Sequence, residues 1–385
     1  MECERWFWIK KRMNYIKKLF LGTEYRGGLQ LDELDGIRGL AVLFVLFSHL
    51  ANEGLVLLPM HIAGNASGKI GVYLFFTLSS FLLSRALLAK AKLHPLALFD
   101  WLTYSVRRIT RIYPFYIVAL SFVVVSSSCG WNLFEPMGWG DFLRHVALLD
   151  GKGHFWTIAT EVKFYLILPI FIFAYRRCSQ WKYVYYIFGL LLISIIAQVV
   201  SYSGGIEIRH SLVRYLPVFA MGTVVAVIVN DSKLITQERV GELATKVSYL
   251  LLGGMFLLMP NVLGYVTELV LGHRFNLLVP SSFFWGLLCS AFVLSCVIAK
   301  GSTLNYLFRC TWIRVIGAMS FSLYINHWFV LQWLVGLECG VVYKWIAFWC
   351  ISIAISAVTF LLVERPLSRV KLEKLPGGLL RRIRG

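Results

Sequence analysis

Two histidines, a glutamate and a few arginines stand inside stretches otherwise fit for lipid. In LDGIRGLAVLFVLFSHL (34–50), Leu40 to Phe47 is apolar without a break, yet Asp35 and Arg38 sit at one end and His49 at the other. Titratable groups in hydrocarbon cost at least about 2.5 kcal/mol each. On a helix, Arg38 and His49 return to within about 20° of one face, roughly 16 Å apart along the axis, and Asp35 lies within about 40° of that face. Such a stripe must line protein or a water-filled cavity. HFWTIATEVKFYLILPI (154–170) carries Glu161, and SFSLYINHWFV (320–330) carries His327. His49, Glu161 and His327 are expected in one layer of the outer half of the bilayer, Glu161 about 8 Å from the outer edge. An imidazole suits proton abstraction near neutral pH, and a carboxylate can orient it. RRITRIYPFY (107–116) sets Arg108 and Arg111 one helical turn apart. Two guanidinium forks at that spacing suit a phosphate, although topology signalling explains them equally well.

The elements that must hold these groups are membrane helices. The chain of 385 residues is 58% hydrophobic and only 15% charged, with mean hydropathy +0.70. A soluble domain is nearer a quarter charged. The fold class is therefore all-α, a polytopic integral membrane protein. Ten spans of adequate length are expected, near 36–54, 69–89, 111–129, 156–175, 183–201, 212–230, 248–265, 281–299, 315–335 and 344–363. The net charge of +18 does not point to nucleic acid, because Lys and Arg crowd every other connection between spans. That alternation places both termini in the cytoplasm. Residues 1–33 read as a basic amphipathic segment on an anionic leaflet rather than a signal peptide. Residues 34–366 form the membrane domain and 367–385 a basic cytoplasmic tail. There is no internal repeat.

Blander readings stand beside the functional ones. An intramembrane histidine is often a packing hydrogen bond, a description that fits His327 as well as a functional one does. Trp156 suits an aromatic belt. Gly36 and Gly39 read as sites of close helix approach. Arg214 reads as an interfacial anchor. Asp35, about 21 Å from His49 along the helix, is expected to pair with Arg38 and fix it. The eight cysteines show no metal-site spacing, and a Cys129–Cys339 disulfide has no support. No metal is assigned, since His49, His327 and Glu161 include no i, i+4 ligand pair.

Five stretches in order carry a resemblance: LDGIRGLAVLFVLFSHL, GVYLFFTLSSFLLS (71–84), RRITRIYPFY, FWTIATEVKFYLILP (155–169), and IGAMSFSLYINHWFV (316–330) closed by VERP (363–366). Together they resemble the acyltransferase family 3 membrane proteins over about 34–366. The resemblance implies transfer of an acyl group, acetyl above all, from cytoplasmic acyl-CoA to a hydroxyl of an envelope glycan. Acetyl-CoA would be a co-substrate rather than a resident cofactor. The partners would be acyl-CoA, a saccharide or lipid-linked glycan and the bilayer, with no nucleic acid. Self-association into a homo-oligomer is left open. The location would be the inner membrane. Arg38, Arg108 and Arg111 would handle the donor, His49 would be catalytic, Glu161 an essential-type position, and Trp156, Tyr165 and His327 supporting motif residues. Departures are Ser80 for a common Gly, Lys163 for Gln and Asn326 for Trp. The fused outer hydrolase-like domain of some relatives is not expected here. In the mechanism this suggests, His49 deprotonates the acceptor hydroxyl and Glu161 orients it. An acyl-His49 intermediate is a second route. The competing class is a secondary transporter of an anionic metabolite, for which duplicated halves would be the usual mark.

Overall fold

The computed structural model describes residues 2–21, 32–56, 67–131, 133–178, 183–203, 211–231, 237–274, 281–299 and 301–368. Among these every regular element is helical. Among the described residues, eight helices are long and apolar enough to cross a membrane, nine if Ser282–Ile298 and Thr303–Arg309, bent by 93°, count as one span. The expected span 248–265 is shifted, because the helix Glu238–Leu257 ends there and Pro260 opens Pro260–Leu271. The expected span 315–335 is two helices, Thr311–Ala318 and the 16-residue Ser320–Val335. The basic tail beyond Ser368 lies outside the described residues, as does the 22–31 part of the N-terminal segment.

The chain divides into two compact units, residues 1–78 with 232–324, and 79–231 with 325–385. In the first unit, α1 (Glu2–Leu21) is the N-terminal helix expected from its periodicity, with Lys17 and Lys18 exposed. It packs on Thr311–Ala318. The central element is α2 (Asp32–Asn52), which lies against Thr303–Arg309 and Thr311–Ala318. Glycine allows that approach. A Cβ on Gly36 would overlap the Phe308 backbone, one on Gly39 the Ile313 carbonyl, and one on Gly317 the Asp35 carbonyl. The sequence-based reading of Gly36 and Gly39 as packing residues is thus borne out. Charge then fastens what glycine brings close. Arg314 Nη2 donates to Asp32 Oδ1 at 2.6 Å and lies 3.8 Å from Asp35 Oδ2. Arg309 Nε reaches the buried Glu33 at 3.1 Å.

The second unit contains α4 (Leu98–Ser128) and α6 (Trp156–Cys178), with the C-terminal part of α3 (Ser67–Leu93). The helix α4 begins 13 residues before the span expected at 111. Asp100 causes this early start: its Oδ2 accepts the Ala97 N–H at 3.0 Å and its Oδ1 the Lys90 ammonium at 2.7 Å. An acid at that position satisfies an orphan N–H and favours the positive end of the helix dipole. α6 packs on Tyr183–Ser203 and Leu212–Asp231. Tyr175 Oη donates to Asp231 Oδ2 at 2.6 Å, and Lys92 pairs with the same carboxylate.

The connection from α4 to α6 is a folded loop. It contains α5 (Trp139–Val146). Inside it, the buried His145 donates from Nδ1 to the Asp141 carbonyl at 2.7 Å and accepts the Lys152 N–H on Nε2 at 2.9 Å. Both ring nitrogens are committed, which fixes the neutral tautomer carrying its proton on Nδ1. The Gly138 N–H and the Lys152 ammonium hold the Asp141 carboxyl below the usual carboxylate range. Gly151 lies against the Trp156 backbone, where a Cβ would sit 2.5 Å from Cα. Cys129 and Cys339 are both free thiols, so the bridge considered between them is not formed.

The glycine seam gives a direct prediction. Gly317→Val forces the first unit's helices apart, a cost of at least about 1–3 kcal/mol by overpacking. A fluorescence melting curve of the detergent-solubilised protein should show a clearly lower midpoint, whereas Gly340→Ala, at a position with open space around it, should leave the midpoint unchanged.

Candidate active site

Two groups of polar side chains stand out, one in each unit. In the second unit the helix α6 projects Glu161 and, one turn later, Tyr165. Tyr165 Oη donates to Glu161 Oε1 at 2.5 Å, and Ser79 Oγ, from α3, donates to the same oxygen at 2.5 Å. The two hydroxyl oxygens are 3.1 Å apart. Tyr104 Oη, from α4, donates to the Tyr165 carbonyl at 3.0 Å. Arg108, one turn further along α4, is within electrostatic reach of Tyr104, Tyr165, Glu161 and Arg111. Three hydroxyl-bearing side chains and the Arg108 guanidinium therefore gather about the Glu161 carboxylate, with Arg111 beside Arg108.

This placement changes one expectation. Sequence reasoning set Arg108 and Arg111 at the cytoplasmic face and Glu161 at a different level, in the outer half. The structure joins Arg108 and Glu161 in one cluster. The reason is the early start of α4 at Leu98, which carries Arg108 about 15 Å into the helix. Charge density alone had suggested a loop there.

The arginines are not neutralised in the usual way. Arg108 Nε is buried, and among the described residues it has no hydrogen-bond partner. Arg111 makes no ion pair with a described carboxylate, its charged neighbour being Arg108. Two adjacent guanidiniums in a low-dielectric setting repel one another. An anionic ligand bridging both would relieve that repulsion and supply the missing acceptors. A phosphate meets both needs.

Other predicted residues of this unit are distributed nearby in the fold. Trp156 stacks on Tyr215, with ring centroids 4.9 Å apart. His327 is fully buried, with its ring 5.7 Å from that of His154. His154 also lies against Phe155, at 4.4 Å, and Trp328, at 5.8 Å. Asn326 donates to Thr359 Oγ1 at 2.9 Å, so this departure from the common pattern serves packing. Sequence reasoning overlooked His154, which stands at the loop end, two residues before the Trp156 helix.

In the first unit, Asp35, Arg38 and His49 share α2 as expected. Asp35 faces a cation that sequence reasoning never considered, the buried Arg314. No local pattern announces this contact, because Arg314 is 279 residues away. His49 has its Nδ1 shut off from solvent, and Arg38 is half-buried. Among the described residues no three of His, Cys, Asp and Glu converge as metal ligands would.

Comparison with known proteins follows the same lines. The model of the Acyltransferase domain family matches residues 31–364. A protein of Staphylococcus aureus (strain COL) named for O-acetyltransfer is 22% identical over 339 residues, covering 81% of this chain and 52% of the relative. Peptidoglycan O-acetyltransferase OatA of Listeria monocytogenes is 27% identical over 167 residues, 38% of this chain and 25% of the relative. An uncharacterized protein of Haemophilus influenzae is 26% identical over 226 residues, 51% of this chain and 91% of the relative. The chain spans about half the length of the curated Staphylococcus relatives it matches. No solved structure matches it.

If Arg108 and Arg111 await a phosphate, neutralising either should weaken a phosphate-bearing ligand. A charge-assisted hydrogen bond is worth about 1.5–3 kcal/mol, so, for the coenzyme A carrier that the family resemblance implies, Arg111→Gln should raise the dissociation constant by about tenfold to a hundredfold. Calorimetry on the purified chain reads this. Equal affinity for wild type and Arg111→Gln would refute the clamp.

Proposed function

Because this chain belongs to the Acyltransferase domain family, whose members include membrane O-acetyltransferases, we propose that it transfers an acyl group, most simply acetyl, from acyl-CoA to a hydroxyl of an envelope glycan. One observation supports the reading: two half-buried arginines one turn apart, the Nε of Arg108 buried without a hydrogen-bond partner among the described residues, near a carboxylate already loaded with hydroxyl donors. The donor is a thioester on a phosphate-rich carrier, and two guanidiniums one turn apart suit its phosphates. The acceptor needs a base for its hydroxyl proton and the tetrahedral oxyanion needs donors.

In the proposed reaction His49 takes the proton from the acceptor hydroxyl. The resulting oxygen attacks the thioester carbonyl. The carbon–sulfur bond breaks and the departing thiolate takes up the proton from the imidazolium. Glu161 is assigned the supporting acid–base or orienting part, Arg38, Arg108 and Arg111 the donor, and Asp35 the fixing of the α2 entrance through Arg314. Trp156, Tyr165 and His327 shape the surroundings. The relatives named for O-acetyltransfer support acetyl as the group, and the peptidoglycan enzyme supports a glycan as acceptor. The proposal includes an inner-membrane location, which a multi-pass protein using a cytoplasmic donor would require. The transporter reading has no observation of its own to recommend it beside the family match.

Two measurements test the proposal. His49→Ala should insert normally and lose at least about 10²-fold of acetyl transfer, the usual worth of a general base; wild-type acetylation by this variant would sink the assignment. Mass spectrometry of envelope glycans from a strain lacking the chain should show loss of one acyl group, restored by wild type and not by His49→Ala.

A further inference from the structure

Several serines in these helices satisfy themselves locally. Ser126, Ser127, Ser128, Ser194, Ser201, Ser248 and Ser295 each donate to a carbonyl three or four residues earlier. That is the ordinary fate of a helical hydroxyl. Ser79 differs. Its proton goes to a carboxylate 82 positions further along the chain, Glu161 Oε1, at 2.5 Å. Tyr165 spends its own proton on the same oxygen at 2.5 Å. Each hydroxyl has one proton to give, so the 3.1 Å contact between Ser79 Oγ and Tyr165 Oη carries none.

The consequence lies on the other carboxylate oxygen. Oε1 accepts two hydrogen bonds, which leaves it little capacity for a third strong one. Oε2 has no hydrogen-bond partner among the described residues, and Glu161 is only partly buried. A carboxylate held at one oxygen from two helices cannot rotate freely about its terminal torsion, which is otherwise broad and two-fold. Tyr104 extends the hold by fixing the Tyr165 carbonyl at 3.0 Å.

We propose that Ser79 is a positioning residue for acyl transfer: with Tyr165 it pins Glu161 by Oε1, so that Oε2 is the oxygen that exchanges a proton or grips a reacting partner. The proposal rests on the reading of Glu161 as a participant in the reaction. Ser79 itself touches neither donor nor acceptor in this scheme. Its removal should therefore disturb turnover rather than donor binding, and a residue that restores the hydroxyl should restore turnover.

The test uses the full chain in detergent, with acetyl-CoA as donor and an envelope glycan fraction as acceptor. The variants are Ser79→Ala, Ser79→Thr, Glu161→Gln and the Ser79→Ala/Glu161→Gln pair. A hydrogen bond to a charged group sets the scale at about tenfold to a hundredfold. Ser79→Ala should lower kcat by that factor, with KM for acetyl-CoA within about twofold of wild type. Ser79→Thr should recover most of the loss. The double variant should be no slower than Glu161→Gln alone, because residues acting as a unit are not additive. A melting curve for each variant checks that the losses are not unfolding, and Ser79→Thr serves as the reading if Ser79→Ala is unstable. Unchanged kcat in Ser79→Ala while Glu161→Gln is impaired overturns the inference alone. So do losses that multiply in the double variant, or a Ser79→Thr variant as slow as Ser79→Ala. Full activity in Glu161→Gln overturns the role given to Glu161, and the inference falls with it.

Discussion

A guanidinium buried among apolar helices cannot shed its proton, so it must be answered by a carboxylate, by water or by a ligand. This constraint organises both units. In the first, Arg314 is answered by Asp32 and Asp35, and the ion pairs fasten the start of α2 to the helices that pack against it. In the second, the half-buried Arg108 and Arg111 stand together; among the described residues Glu161 is the carboxylate near Arg108, and one of its oxygens is already filled by Ser79 and Tyr165. The first arrangement is ion-paired and structural, although Arg314 Nε has no hydrogen-bond partner among the described residues. The second is short of negative charge, the condition in which a phosphate-bearing donor would be bound.

Packing makes these electrostatics affordable. Gly36, Gly39 and Gly317 let backbones meet where any side chain would hold them apart. Only at that separation can Arg314 reach two aspartates. In the second unit the comparable device is a cap. Asp100 starts α4 early, and the helix then delivers Arg108 to the depth of Tyr165 and Glu161. Local choices near a helix terminus thus decide what happens several turns away.

Much of this could be read from residue types and periodicity. Apolar runs of adequate length located most of the helices, though not 248–265 or 315–335 as single spans, and Asp35, Arg38 and His49 do share one helix. Glu161 and Tyr165, four apart on α6, fall on one face by helical geometry. Failures occurred where partners are remote in sequence. Nothing in GVYLFFTLSSFLLS singles out Ser79, and nothing local singles out Arg314. His154 has no helical spacing to mark it, because it precedes the helix that carries Glu161. The levels of Arg108 and Glu161 were separated because the span was started at the end of the basic cluster, not at Leu98.

The sequence by itself determined the class of molecule, since only helices satisfy their own backbone groups in lipid. It also determined the chemical inventory: imidazole, carboxylate and paired guanidiniums at helical spacings. The tertiary structure alone decided which of these meet. Hydrogen bonds such as Ser79–Glu161, or ion pairs such as Arg314–Asp32, join residues 82 and 282 positions apart. Their short range means that only packing of whole helices, set by glycine contacts and caps, can bring such partners within bonding distance.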